Sequence, residues 1–208
     1  MTGNLANQGG AIANINSGVL TVGFCLFIAN EASDRGGAIF NRGQASIGNG
    51  TQIFSNRASA GGGIYNIANG QLTITGNTWI SGNTATGTFA LGSGYGGGIA
   101  NLGIAILLDV TITDNTSLRE GGGIFSDATT TLTNVYIYDN RATDRDTGKG
   151  GGIYVRQGTT TLVSGCTLLE NRSGWRSGLD GIMFTNNALL VTNDDLNNLF
   201  DPVICENQ

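Results

Sequence analysis

Hydrophobic and polar residues alternate along this chain in short runs bounded by glycine or asparagine. From Gly63 onward the runs read "GIYN", "QLTIT" and "TWISGN". Such alternation predicts strands buried on one face, and no stretch carries a helical period of useful length. The runs themselves recur. A phrase of two glycines, a small residue, isoleucine, a variable residue and asparagine is written "GGAIAN" at 9–14, "GGAIFN" at 36–41, "GGGIYN" at 61–66 and "GGGIAN" at 96–101. Its isoleucine falls at Ile12, Ile39, Ile64, Ile99, Ile124, Ile153 and Ile182, with gaps of 25 to 35 residues. A second word, an apolar residue followed three later by asparagine, appears as "FIAN", "IFSN", "ISGN", "ITDN", "IYDN" and "LLEN".

Self-similarity of this kind is the signature of a repeat architecture. Three short strands per repeat, like strands recurring in order, predict coils stacked in parallel register roughly 4.8 Å apart. The chain is expected to be all-β, a single-stranded parallel β-helix of about seven coils. One domain fills 1–208: a partial first coil at 1–8, repeat coils over 9–182, and a last coil with a C-terminal cap over 183–208. The phrase isoleucines point inward as an aliphatic ladder. Asn4, Asn30, Asn56, Asn83, Asn115, Asn140 and Asn171 form an inward ladder at another turn, each amide bonding its copies above and below. From phrase isoleucine to ladder asparagine the spacing stays at 16–19 residues, whereas the return spacing runs from 8 to 16. Insertions therefore gather at one corner, at 84–96, 141–150 and 172–180, where they are expected to form one surface.

The paired words, "GGAI" and "FxxN" in fixed order, resemble the repeats of chlamydial polymorphic outer-membrane proteins and related β-helix proteins of bacterial surfaces. The resemblance spans roughly 1–182. It implies a right-handed solenoid, extracellular or displayed at the cell surface, serving as a structural stalk, adhesin segment or filament subunit. The start, "MTGNLANQGG", has neither a basic stretch nor an apolar core, so the export signal is expected outside this chain. The residues alone read either as an intracellular chain or as a piece of a longer secreted precursor. A solenoid also exposes unpaired edges at its terminal coils. After Ile182 the words decay into a segment with Asp194, Asp195, Asp201 and Pro202, read as a cap, whereas the chain starts in mid-repeat. The first coil is expected to pair with further coils of a precursor or with another copy, end to end or laterally.

Charge narrows the function classes. A net charge of −5, with ten scattered basic residues, excludes nucleic acid as a partner. The chain has no histidine, which removes the commonest general base and metal ligand. No apolar run reaches 18 residues, so no membrane-spanning segment is expected. Cys25, Cys166 and Cys205 lack CxxC spacing; Cys25 and Cys166 read as small core residues at equivalent inward positions, and Cys205 is not placed. The glycine-rich "GTFALGSGYGGG" lacks the GK[ST] ending of a phosphate loop and reads as a surface insertion.

Two sets of outward residues are candidate sites, and no catalytic residue is assigned. Phe40, Tyr65, Phe125 and Tyr154 follow phrase isoleucines, while Phe54, Trp79, Tyr136 and Tyr138 lie on the asparagine strand. Such stripes suit glycans or host surface proteins as partners; the alternative is rings stacked coil on coil beneath the insertions. Asp114, Asp139 and Glu170 precede ladder asparagines in successive coils, and carboxylates about 5 Å apart repel without a counter-charge. Ca²⁺ is the one cofactor this set would take, as resemblance to pectate-lyase-like β-helices implies. The rival function is accordingly a carbohydrate-active enzyme or glycan-binding β-helix of that type.

Overall fold

The structure is a computed structural model. It describes residues 1–88, 93–174, 182–192 and 203–204, with backbone alone at 161–164, 182–192 and 203–204. The expected cap over 183–208 lies largely outside the described residues, as do Cys205 and positions 175–180 of the last insertion.

The coils described through residue 174 repeat the same path. In one coil the phrase strand Ile39–Asn41 is followed by Gln44–Gly48, Gln52–Phe54 and Arg57–Ala58. Like strands pair in parallel, so Ile12, Ile39, Ile64, Ile99, Ile124, Ile153 and Ile182 share one register column. The result is a parallel β-solenoid of about six turns, close to the seven expected. The last strand of each coil was not legible. It forms a separate seven-stranded sheet from Leu5–Gln8 to Arg172–Ser173, and its two-residue copies are too short to carry a period. In later coils the second and third strands merge, as in Ile104–Thr113 and Thr129–Tyr138, with Asp109 and Asn134 turning the corner at φ 57 and 51.

The interior is aliphatic. Ile39, Ile64, Ile99, Ile124 and Ile153 are fully buried, and Ile47, Ile74, Leu107 and Leu132 line the second strand column. Apolar area of this kind, removed from water coil after coil, is the main driving force for stacking. The two phrase glycines have different causes. Gly36 turns the chain at φ +67, a left-handed conformation that costs glycine little. At Gly37 a Cβ would lie 2.1 Å from the Gly62 carbonyl oxygen, so backbone fills the space a side chain would need.

The asparagine ladder forms as expected. Asn4 Nδ2 donates to Asn30 Oδ1 at 2.7 Å, and the contact repeats through Asn56, Asn83, Asn115, Asn140 and Asn171 at 2.9–3.0 Å. Each rung also caps strand backbone, as Asn83 Nδ2 does by donating to the Ile53 carbonyl at 2.9 Å. A second ladder runs beside the phrase. Asn14, Asn41, Asn66 and Asn101 hand an Nδ2 donor upward at 2.8 Å each. It ends where Asn101 donates to Thr130 Oγ1 at 2.9 Å, because the next phrases end in Ser126 and Val155. The signal for it was the sixth letter of the phrase. Cys25 departs from expectation: Cys166 is buried, but Cys25 is exposed, with its N bonded to Thr51 Oγ1 of the next coil and only Met1–Gly3 paired along Leu26–Ile28 on the other side.

Candidate functional site

Both aromatic sets lie on the outer side of the solenoid wall, yet they meet different surroundings. Phe40, Tyr65, Phe125 and Tyr154 are buried, each at 3% exposure or less. The expectation of an open stripe there is corrected in favour of its alternative: the rings stack on one another, and Phe40 and Tyr65 cluster with Ala60, Ile67, Leu102 and, from an insertion, Tyr95. Phe40 and Tyr65 lie 6.0 Å apart at 16°, and Phe125 and Tyr154 5.9 Å apart at 18°. Between the pairs, the phrase places Ala100 where a ring is needed. Tyr95, from the 84–96 insertion, supplies it. Its ring lies 6.3 Å from Tyr65 and 4.3 Å from Phe125, and the Tyr65 and Tyr95 hydroxyls approach to 3.2 Å. The signal was a tyrosine directly before "GGGIA", in the one inner coil whose phrase lacks a large residue after isoleucine.

Cations finish this wall. The Arg35 and Arg156 guanidinium carbons each sit 5.1 Å from a ring centroid, over Tyr65 and Phe125 respectively. Arg156 is held there by Asp127, to which Nε donates at 2.9 Å and Nη2 also donates. Burial raises the tyrosine hydroxyls above their ordinary value, Tyr154 to about 12 and Tyr65 further, with Tyr95 adding to the Tyr65 shift. Burial also raises Glu120, against the opposing charges of Lys149, Arg156 and Arg119.

The insertions form one ridge beside this stack. Arg119 N donates to the Gly94 carbonyl at 2.7 Å, Asp144 N to the Leu118 carbonyl at 2.7 Å and Lys149 N to the Arg119 carbonyl at 2.8 Å, so the described ends of these segments lean on one another in order. Asp114, Asp139 and Glu170 stack at the asparagine corner, each exposed and at φ near 55. Ala29, Ser55 and Gly82 hold this turn position in the earlier coils at φ 51, 57 and 62, so the turn imposes the left-handed geometry on whatever residue stands there. Among the described residues no three acidic or cysteine side chains form a set able to hold a metal ion.

The asparagine-strand set differs. Trp79 is 46% and Tyr136 52% exposed, while Phe54 and Tyr138 are half-buried. Trp79, Thr111 and Tyr136 share one register column, with Gln52 below and Thr167 above. Neighbours this short leave the rings open.

The model of the Chlamydia polymorphic membrane protein (Chlamydia_PMP) repeat matches residues 109–127 and 134–156. This chain is similar to that repeat. Each matched stretch holds one ladder asparagine, Asn115 or Asn140, and one buried ring, Phe125 or Tyr154. No curated protein and no solved structure matches the chain.

Proposed function

We propose that this chain is a stretch of a surface-displayed β-solenoid, a rigid rod that acts as stalk or adhesin segment and has no reaction of its own. The observation that carries this reading is the match of two coils to the Chlamydia polymorphic membrane protein repeat, in a chain whose described turns are built alike. Its recurring geometry goes into stacking: the phrase glycines, both asparagine ladders and the ring column all serve coil-on-coil contact. What varies is the insertion corner and the open outer faces, and loops on a rigid scaffold are where binding resides. Fold alone does not decide function, so the reading is tested in the cell. An antibody raised to residues 1–174 should label intact cells of the source organism, and external protease should remove the signal. Labelling that requires cell rupture would overturn it.

A further inference from the structure

We infer that the outer face carrying Trp79 and Tyr136 binds an uncharged, extended polysaccharide laid along the rod. Two observations point there, and neither depends on the chain being displayed at a surface. The first is charge. The second and third strand columns, from Val19–Gly23 and Leu26–Ile28 up to Thr129–Tyr138 and Thr167–Leu169, contain one charged residue, Asp109. Asp109 stands at the corner between the two faces, where Asn134 Nδ2 donates to its carboxylate at 3.1 Å. The other charged side chains of the described residues lie on the short strands of the seven-stranded sheet, on the remaining corners or, for Arg156, just past the phrase strand. A wide face without charge has no complement for an acidic polymer or a basic one, and matches a neutral one.

The second observation is a period. Reading up the rod, the outward column runs Leu26, Gln52, Trp79, Thr111, Tyr136, Thr167. Large apolar and hydrogen-bonding side chains alternate coil by coil, so the rings recur every second coil, roughly 9.6 Å apart. In a β-1,4-linked chain of pyranoses successive rings are rotated by half a turn, and every second sugar presents the same face. Two coils are close to the length of two such sugars. Trp79 and Tyr136 would each stack on a sugar face, while the Thr111 hydroxyl and Gln52 amide meet the hydroxyls of the sugars between. A protein partner would favour a continuous apolar patch with a polar rim; in this column polar residues interrupt every ring, and the exposed Ile104, Ile106 and Leu108 of the adjoining face belong to one coil.

The test is retention of the purified chain on cellohexaose, chitohexaose and an uncharged β-glucan, with polygalacturonate and heparin as charged controls. The parent should bind at least one neutral chain and neither charged one. Trp79→Ala and Tyr136→Ala should each weaken that binding about tenfold, with melting temperature unchanged. The decisive variant moves a ring: Thr111→Tyr combined with Tyr136→Thr keeps both rings but sets them one coil apart, and binding should fall as in Tyr136→Ala. The inference is overturned if the parent binds no neutral chain, if charged chains bind as well, or if the moved ring binds like the parent. Cell labelling tests display separately, so failure of one reading leaves the other standing.

Discussion

Phe125 and Tyr136 lie eleven residues apart, both facing outward from the solenoid wall, yet one is fully buried and the other 52% exposed. Strand parity is the same for the two. What differs is the material above and below. Phe125 has Tyr95 and Tyr154 on either side and Arg156 across its face. Tyr136 has Thr111 and Thr167 as column neighbours. In a solenoid, alternation decides which side of the wall a residue faces; the residue one coil away decides whether that side is wet. The outer wall therefore has a structural half, closed by rings and insertions, and an open half.

The largest expected effect breaks the closed half. Phe125→Ala removes a ring from a fully packed column and should cost about 3–5 kcal/mol, read as a lowered urea midpoint. A loss below about 1 kcal/mol would mean that the insertion corner merely lies over the rings. The asparagine ladder is a reference that depends on neither half. Asn83→Ala strands the Ile53 carbonyl and the Asn56 amide, and should cost about 1–3 kcal/mol. If its loss were as small as that of an exposed threonine, the ladder would not be holding the coils in register.

Tyr95 sharpens the comparison, because it reaches the closed half from an insertion. Tyr95→Ala should cost about 2 kcal/mol, less than Phe125→Ala because the side chain is half-buried. Adding Ala100→Phe puts a ring back at the position that Phe40, Tyr65, Phe125 and Tyr154 occupy in their own coils, and should restore most of the loss. Absence of rescue would show that Tyr95 works through its loop rather than its ring.

Which of these features could be read from the letters follows from their period. The isoleucine column, the Asn4-to-Asn171 ladder and the corner of insertions each repeat at coil spacing, so the sequence displays them. The Asn14-to-Asn101 ladder was equally periodic, but its letter closed a phrase already assigned to the strand. Tyr95 was hidden for a physical reason: it joins the ring column from outside the register, and no repeat predicts a substitute. Burial of Phe40 and Tyr65 was one of two readings that the letters left open, since parity says nothing about what covers an outward face. The acids Asp114, Asp139 and Glu170 looked like a site because they align, and their alignment follows from a turn that holds residues at positive φ.

The closed half should also betray itself by titration. Tyr154 and Tyr65 keep their protons more tightly in the folded chain than in the unfolded one. Their contribution is full below 10.0, the ordinary tyrosine value, and declines as pH rises from there toward about 12. Glu120 has the same sign in an acid window: its raised value makes stability fall as pH climbs above 4.5. Urea midpoints across pH 4–7 should flatten in Glu120→Gln, and those above pH 10 should flatten in Tyr154→Phe. Slopes unchanged in both variants would show that these groups are as wet as the open wall.

The smallest expected effect falls on the open half. Trp79 is nearly half exposed, and its column neighbours Gln52 and Thr111 do not form a ring stack with it. Trp79→Ala should therefore change stability by no more than about 0.5 kcal/mol, although tryptophan is the largest side chain the protein has. Size argues for a large loss and exposure for a small one, and exposure wins because truncation leaves no cavity in the core. The Ile80 side chain beside it, fully buried on the inner face of the same strand, calibrates the measurement: Ile80→Val should cost about 1 kcal/mol for a single methylene. If Trp79→Ala proves the costlier of the two, Trp79 is packed like Phe125, and the division of the outer wall into a closed and an open half fails.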